Sequence, residues 1–182
     1  PPDGATLIDA AGRTLMPGLI DAHWHTMMAA LPLTSLMTAD AGDIHLAAAA
    51  QARRTLMRGF TTVRDLGGPS FALKRAVDSG SVEGPRIYPS GAMISQTSGH
   101  GDFRAVWELP GTPENLSRSE VLGATSISNG RAEVLQSTRE QLMQGATQIK
   151  IHAGGGVASS YDPIDVTEFL PEEIDAAVLA AD

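Results

Sequence analysis

Two histidines one residue apart, His23 and His25, close the apolar run Leu15-Met16-Pro17-Gly18-Leu19-Ile20-Asp21-Ala22. On a strand, alternate side chains share a face, so both imidazoles point one way and Trp24 the other. Two imidazoles converging from one strand end can hold a divalent metal. Standing alone, the pattern is also met as a pair of surface histidines past a buried strand. Lys150 is the second suggestive residue. It is one of only two lysines and lies between Ile149 and Ile151 in the run Gln148–His152. An ammonium in apolar surroundings loses proton affinity. The neutral amine can then take up CO2 to give a carbamate, an anionic oxygen ligand. The competing expectation is a lysine whose head snorkels from the strand tip to solvent or to a carboxylate. His152 shares the face of Lys150, where it either lines a pocket or packs beneath the ligands.

The elements that must position these residues follow from the pattern. Ala5–Ile8 and Thr14–Met16 flank Asp9–Arg13 as a small hairpin leading into the His-x-His strand. Ile44–Arg58 reads as an alanine-rich helix capped by Asp40 or Asp43. Phe60–Asp65 is a β-branched strand, Pro69–Ser79 a second helix and Arg86–Ala92 a third strand. Ser95–Asn129 has no clear period and reads as a long functional loop, with His100 between glycines near its start. A helix over Arg131–Gln144 stops at Gly145, the strand Gln148–His152 follows, and Pro171 opens a helix still running at Asp182. Four strand–helix units imply a parallel sheet, half of a (β/α)8 barrel. In such a barrel chemistry sits at the C-terminal strand ends, where His23, His25, Asp65, His100 and Lys150 all fall. Met27 and Met28 read as core or pocket wall, and His45 as a surface residue of the first helix.

Composition bounds the partners. The chain has 182 residues, enough for one domain with a real core, and a formal charge of −8. Without a Lys/Arg-rich run, that charge argues against nucleic acid and against an anionic membrane surface. There is no cysteine, so disulfides and thiolate metal sites are excluded. No apolar run approaches the ~20 residues of a membrane span. The first residue is Pro1 rather than methionine, so the true start is expected upstream and the compartment stays open.

The motifs together resemble the amidohydrolase superfamily. Met16–His25 is similar to its first-strand signature. Gly59–Asp65, Thr97–Asp102, Gln148–Ile151, Gly154–Val157 and Tyr161–Asp165 resemble its imidazolonepropionase-like and prolidase-like branch. The resemblance implies an α/β fold, the first half of a distorted (β/α)8 TIM-type barrel over residues 17–182. Residues 1–16 would be a remnant of a small β-sandwich subdomain before it. It further implies two divalent metals, usually zinc. His23 and His25 would bind the first, and Lys150, carboxylated by CO2, would bridge both. His100 would hydrogen-bond the substrate carbonyl or the oxyanion. Asp65 would be a supporting acid, and Tyr161 and His152 would shape the pocket. The remaining ligands and the catalytic acid–base group are expected beyond Asp182.

The activity implied is metal-dependent hydrolysis of an amide or peptide bond in a small molecule, a dipeptide or an N-acyl amino acid, by a homo-oligomer. Hydrolysis of a cyclic amide, as in imidazolonepropionase, is the alternative enzyme. An inactive half-barrel that needs a partner chain is the alternative of another class, since open sheet edges invite pairing.

Overall fold

The computed structural model describes residues 1–182. Its first regular element is the edge strand β1 (Leu19–Trp24), which runs parallel to β2 (Phe60–Asp65). Two short helices come between them, a 3-10 turn at Met28–Ala30 and α1 (Leu33–Leu36), and then the long α2 (Ala41–Met57). Asp40 caps α2 by accepting the Gly42 N–H at 2.7 Å. Helix α3 (Phe71–Asp78) carries the chain from β2 to β3 (Arg86–Pro89), giving a parallel sheet in the order β1-β2-β3.

The core follows from small residues at helical spacing. Ile44, Ala48, Ala52 and Thr55 are the buried face of α2. The alanines let the helix lie close to Val63 and Ile87, both fully buried, with Met27 and Leu73 completing the cluster. A second cluster joins Ile94, Val134, Phe169, Ala176 and Ala177.

The third strand, expected to run to Ala92, ends at Pro89. Gly91, at φ +74°, turns the chain, and it resumes as β4 (Met93–Ser95) with a new partner. A Cβ at Gly91 would collide with Gln141 and Phe71, so both the conformation and the space require glycine. Helix α4 (Arg118–Val121) precedes β5 (Thr125–Ile127), which pairs parallel with β4 from Met93↔Thr125 to Ser95↔Ile127. The stretch 95–129, read as a functional or mobile loop, thus contains a strand, the helical turn α4 and a 3-10 turn at Val106–Glu108, all too short to show a period. Helix α5 (Gly130–Gln144) ends at Gly145 in the left-handed region, and α6 (Pro171–Ala181) closes the element order.

Two expectations fail. The apolar stretches 5–8 and 14–16 form no strands; the turn between them is present, with the Ala11 N–H donating to Asp9 Oδ1 at 2.8 Å. Their side chains stand outside both core clusters, and Leu7, Ile8 and Leu15 are exposed. The expected strand Gln148–His152 is reduced to one parallel bridge, Ile94↔Ile151. The segment still tracks the strand edge through Thr147 N to Pro89 O, Ile94 N to Lys150 O and His152 N to Ile94 O, at 2.9 to 3.0 Å. With β4 only three residues long, there is little ladder for it to extend. The result is a mixed α/β fold with parallel strands.

Candidate active site

The tops of the strands open on a cavity of about 250 Å³ walled by His23, His25, His100, Lys150 and His152, with Met93 and Phe103 among its apolar lining. Four of the five histidines in the chain meet there. β1 delivers His23 and His25 to one face as the alternation predicts, ring centroids 5.4 Å apart. Arg64 fixes the strand beneath them, its Nε donating to the Ala22 carbonyl at 2.8 Å. The 147–152 segment delivers Lys150 and His152 from across the sheet.

Three of these groups, His25, Lys150 and His152, have a depressed proton affinity. Burial lowers the His25 pKa, reinforced by His23 and Lys150. Burial followed by the Arg64 charge lowers that of Lys150, which makes no ion pair. Burial, with Lys150, His100 and His25 nearby, takes His152 down to about 3. At these three residues burial thus favours the neutral nitrogen lone pair, the state in which imidazole binds a metal and amine binds CO2.

His100 comes from the loop after β4, and that loop is held tightly. Asp102 and Arg104 form a buried bidentate ion pair, Nε–Oδ1 2.7 Å and Nη2–Oδ2 2.6 Å. Burial alone would raise the Asp102 pKa, but the Arg104 and Ser98 hydrogen bonds hold it below the usual carboxylate range. The His100 backbone N–H donates to Glu168 Oε1 at 2.7 Å. Its ring Nδ1 lies 2.8 Å from Ser159 Oγ and 3.0 Å from Asp162 Oδ2, and its ring meets that of His152 edge-on at 4.9 Å.

Asp65 does not line the cavity. Fully buried atop β2, it accepts the Thr26 N–H at 3.2 Å and so fixes the chain one residue past His25. Burial pushes its pKa up to about 6. Tyr161 is 44% exposed and does not reach the cavity, so the structure does not gather it with the others. His45 is half-buried rather than on the surface, and it lines a second, apolar recess of about 50 Å³. That recess shares Met28, Leu33 and Phe103 with the histidine cavity, and Met27 forms part of its wall. Ser159 and Glu168 carried no signal in the sequence, and Asp162 appeared there only within the Tyr161–Asp165 match. Each lies some 60 residues from the loop it holds, without a local motif.

The donor set suits a divalent metal in part. The His25 Nδ1 is buried without a hydrogen-bond partner, and the imidazoles of His23 and His25 stand side by side. No three His, Asp or Glu side chains converge as an ion cage, so the third donor in reach is Lys150, which needs carboxylation to offer oxygen.

The amidohydrolase family model matches residues 14–182. The chain belongs to the amidohydrolase family. Divalent metals are general in that family, in keeping with this donor set. Among curated proteins, the amidohydrolase is 34% identical over 182 aligned residues to an ochratoxinase from Aspergillus niger, covering 90% of this chain and 36% of that one. Among solved structures it is similar to an amidohydrolase (42% identity, TM-score 0.86, 98% of this chain and 44% of that chain). It is also similar to a prolidase complexed with N-methylphosphonate-L-proline (40% identity, TM-score 0.82, 91% of this chain and 40% of that one). The chain thus spans less than half the length of each of these three relatives.

Proposed function

We propose that this amidohydrolase cleaves the amide bond of a dipeptide or N-acyl amino acid, using metal-activated water. The observation that carries the reading is the convergence of His23, His25, Lys150, His100 and His152 on one cavity from positions up to 129 residues apart. The relatives named prolidase and ochratoxinase, one of them solved with a proline-bearing ligand, support the substrate class. In this reading the strands are the first half of a distorted (β/α)8 barrel, and residues 1–16 belong to a β-sandwich subdomain.

His23 and His25 would hold the first of two divalent ions, best served by zinc. Lys150, whose proton affinity burial lowers, would be carboxylated and bridge both. When bound, the ions lower the pKa of a water toward neutrality and polarise the scissile carbonyl. Asp65 holds the turn after His25, so the paired imidazoles stay aimed into the cavity. His100 faces the substrate from the loop opposite and hydrogen-bonds the carbonyl edge as charge develops. The shared apolar walls Met28, Leu33 and Phe103 keep bulk water from the reacting bond and accept an apolar substituent of the substrate.

The test pairs metal analysis with hydrolysis. Protein purified without chelator and with bicarbonate should carry close to two zinc ions per chain and hydrolyse members of a panel of Xaa-Pro dipeptides and N-acyl amino acids. Metal content near zero that added zinc does not raise, with no hydrolysis of the panel, would overturn the proposal.

A further inference from the structure

His100 is gripped at two points by one downstream segment. Glu168 takes its backbone N–H, while Asp162 and Ser159 both reach ring Nδ1. The Asp162 side chain is 1% exposed, whereas that of His100 is 32% exposed where it lines the cavity. Gly156 leaves the slot into which the ring fits; a Cβ there would overlap the imidazole. The ring therefore has one seat, with Nδ1 turned to the carboxylate, Cε1 against Gly156 and Nε2 without a hydrogen-bond partner in the protein.

An ionised carboxylate only accepts hydrogen bonds. Burial would raise the Asp162 pKa, but hydrogen bonds from Ser159 and His100 hold it below the usual carboxylate range, so Asp162 is ionised. A bare Nδ1 facing it at 3.0 Å would set lone pair against lone pair. A proton on Nδ1 turns that contact into a charge-assisted hydrogen bond. The Ser159 hydroxyl then donates to the carboxylate rather than to the ring. Which nitrogen a histidine offers is set by the hydrogen bond that the other one makes.

We propose that Asp162 is a positioning residue that fixes His100 as the Nδ1–H tautomer, so that Nε2 is the nitrogen offered to the substrate. The inference rests on the hydrolase reading for its catalytic consequence, but not for its structural content. In the neutral ring, Nε2 accepts from an N–H or a water in the cavity. When solvent protonates the ring there before the attack, Nε2 donates to the developing oxyanion and the new charge lies against Asp162. A histidine oriented by solvent alone would divide its time between tautomers and present the wrong one for part of it.

The experiment reads the tautomer directly, by long-range proton–nitrogen spectra of the full zinc-loaded chain with ¹⁵N-labelled histidine, with His100→Asn identifying the resonances. Wild type should show Nδ1 protonated and Nε2 bare. Asp162→Asn should move the proton or mix the tautomers, and should lower kcat on the hydrolysed panel substrate about 10–100-fold with KM changed much less. Ser159→Ala should keep the Nδ1 proton, which assigns the effect to the carboxylate and decides the matter if Asp162→Asn does not fold. A wild-type ring protonated on Nε2 would overturn the proposal, as would a tautomer lost in Ser159→Ala. So would an Asp162→Asn variant that keeps both tautomer and kcat. Absence of hydrolysis in wild type would sink the proposed function and leave the spectra to judge the tautomer alone.

Discussion

Asp65 sits where its charge is costly, and that gives the molecule a pH signature. Its carboxyl titrates near 3.8 in the unfolded chain and about 6 when buried. Between those values the folded state binds the extra proton, so this group's contribution to stability is full below pH 3.8, falls as pH rises, and is lost above 6. The loss amounts to roughly 3 kcal/mol, from about two units at 1.36 kcal/mol each. Asp65→Asn keeps an acceptor for the Thr26 N–H and cannot ionise. Urea unfolding at pH 4 and pH 7 should therefore show the wild type losing roughly 2 kcal/mol more than the variant, part of the loss falling below pH 4; equal losses would refute the account. Lys150 makes a second prediction at this scale. Lys150→Arg keeps a positive charge but cannot form a carbamate. Zinc per chain, measured by elemental analysis, should fall at least by half.

Among the elements, the kink in the third strand is the most demanding. Gly145, at φ +100° with open space around its α-carbon, separates the conformational penalty from the steric one. Gly145→Ala should cost about 1 kcal/mol. Gly91→Ala should cost clearly more, because its methyl group also meets Gln141 and Phe71, and denaturant midpoints of the two variants give the comparison. In the core, Ile87→Ala should cost about 2–5 kcal/mol. The helices α2, α3, α5 and α6 and the strand β2 were legible in the sequence because they are long enough to show a pattern, with Asp40 at the start of α2 and Gly145 at the end of α5. β4 and β5 were not, being three residues each, and their pairing depends on contacts 32 residues apart. The site was legible where its residues lie next to one another, as His23 and His25 do. Lys150 was legible because a lysine between two isoleucines is unusual. The partners of His100 were not, since only the folded chain brings Asp162 and Glu168 to its loop. Tyr161 misled because its place beside the glycine loop does not carry its side chain into the cavity.

For the molecule as a whole, the cavity is a clamp between distant parts of the chain. β1 and the 147–152 segment lie on opposite sides of β2 and β3, and each supplies groups to it. An ion held by both binds only the folded state, so zinc at 100 times its Kd should stabilise the protein by about 2.7 kcal/mol and EDTA should reverse the gain, as thermal melts can show. No helix is long and apolar enough to cross a membrane. The scarcity of lysine has a consequence for spectroscopy. Of the two side-chain amines in 182 residues, Lys74 is paired with Asp78 at 2.7 Å. Lys150 is the one without a carboxylate partner. A sample equilibrated with ¹³C-bicarbonate should therefore give a nearly background-free carbonyl line, one isotope-labelled reporter planted where the two halves of the site meet.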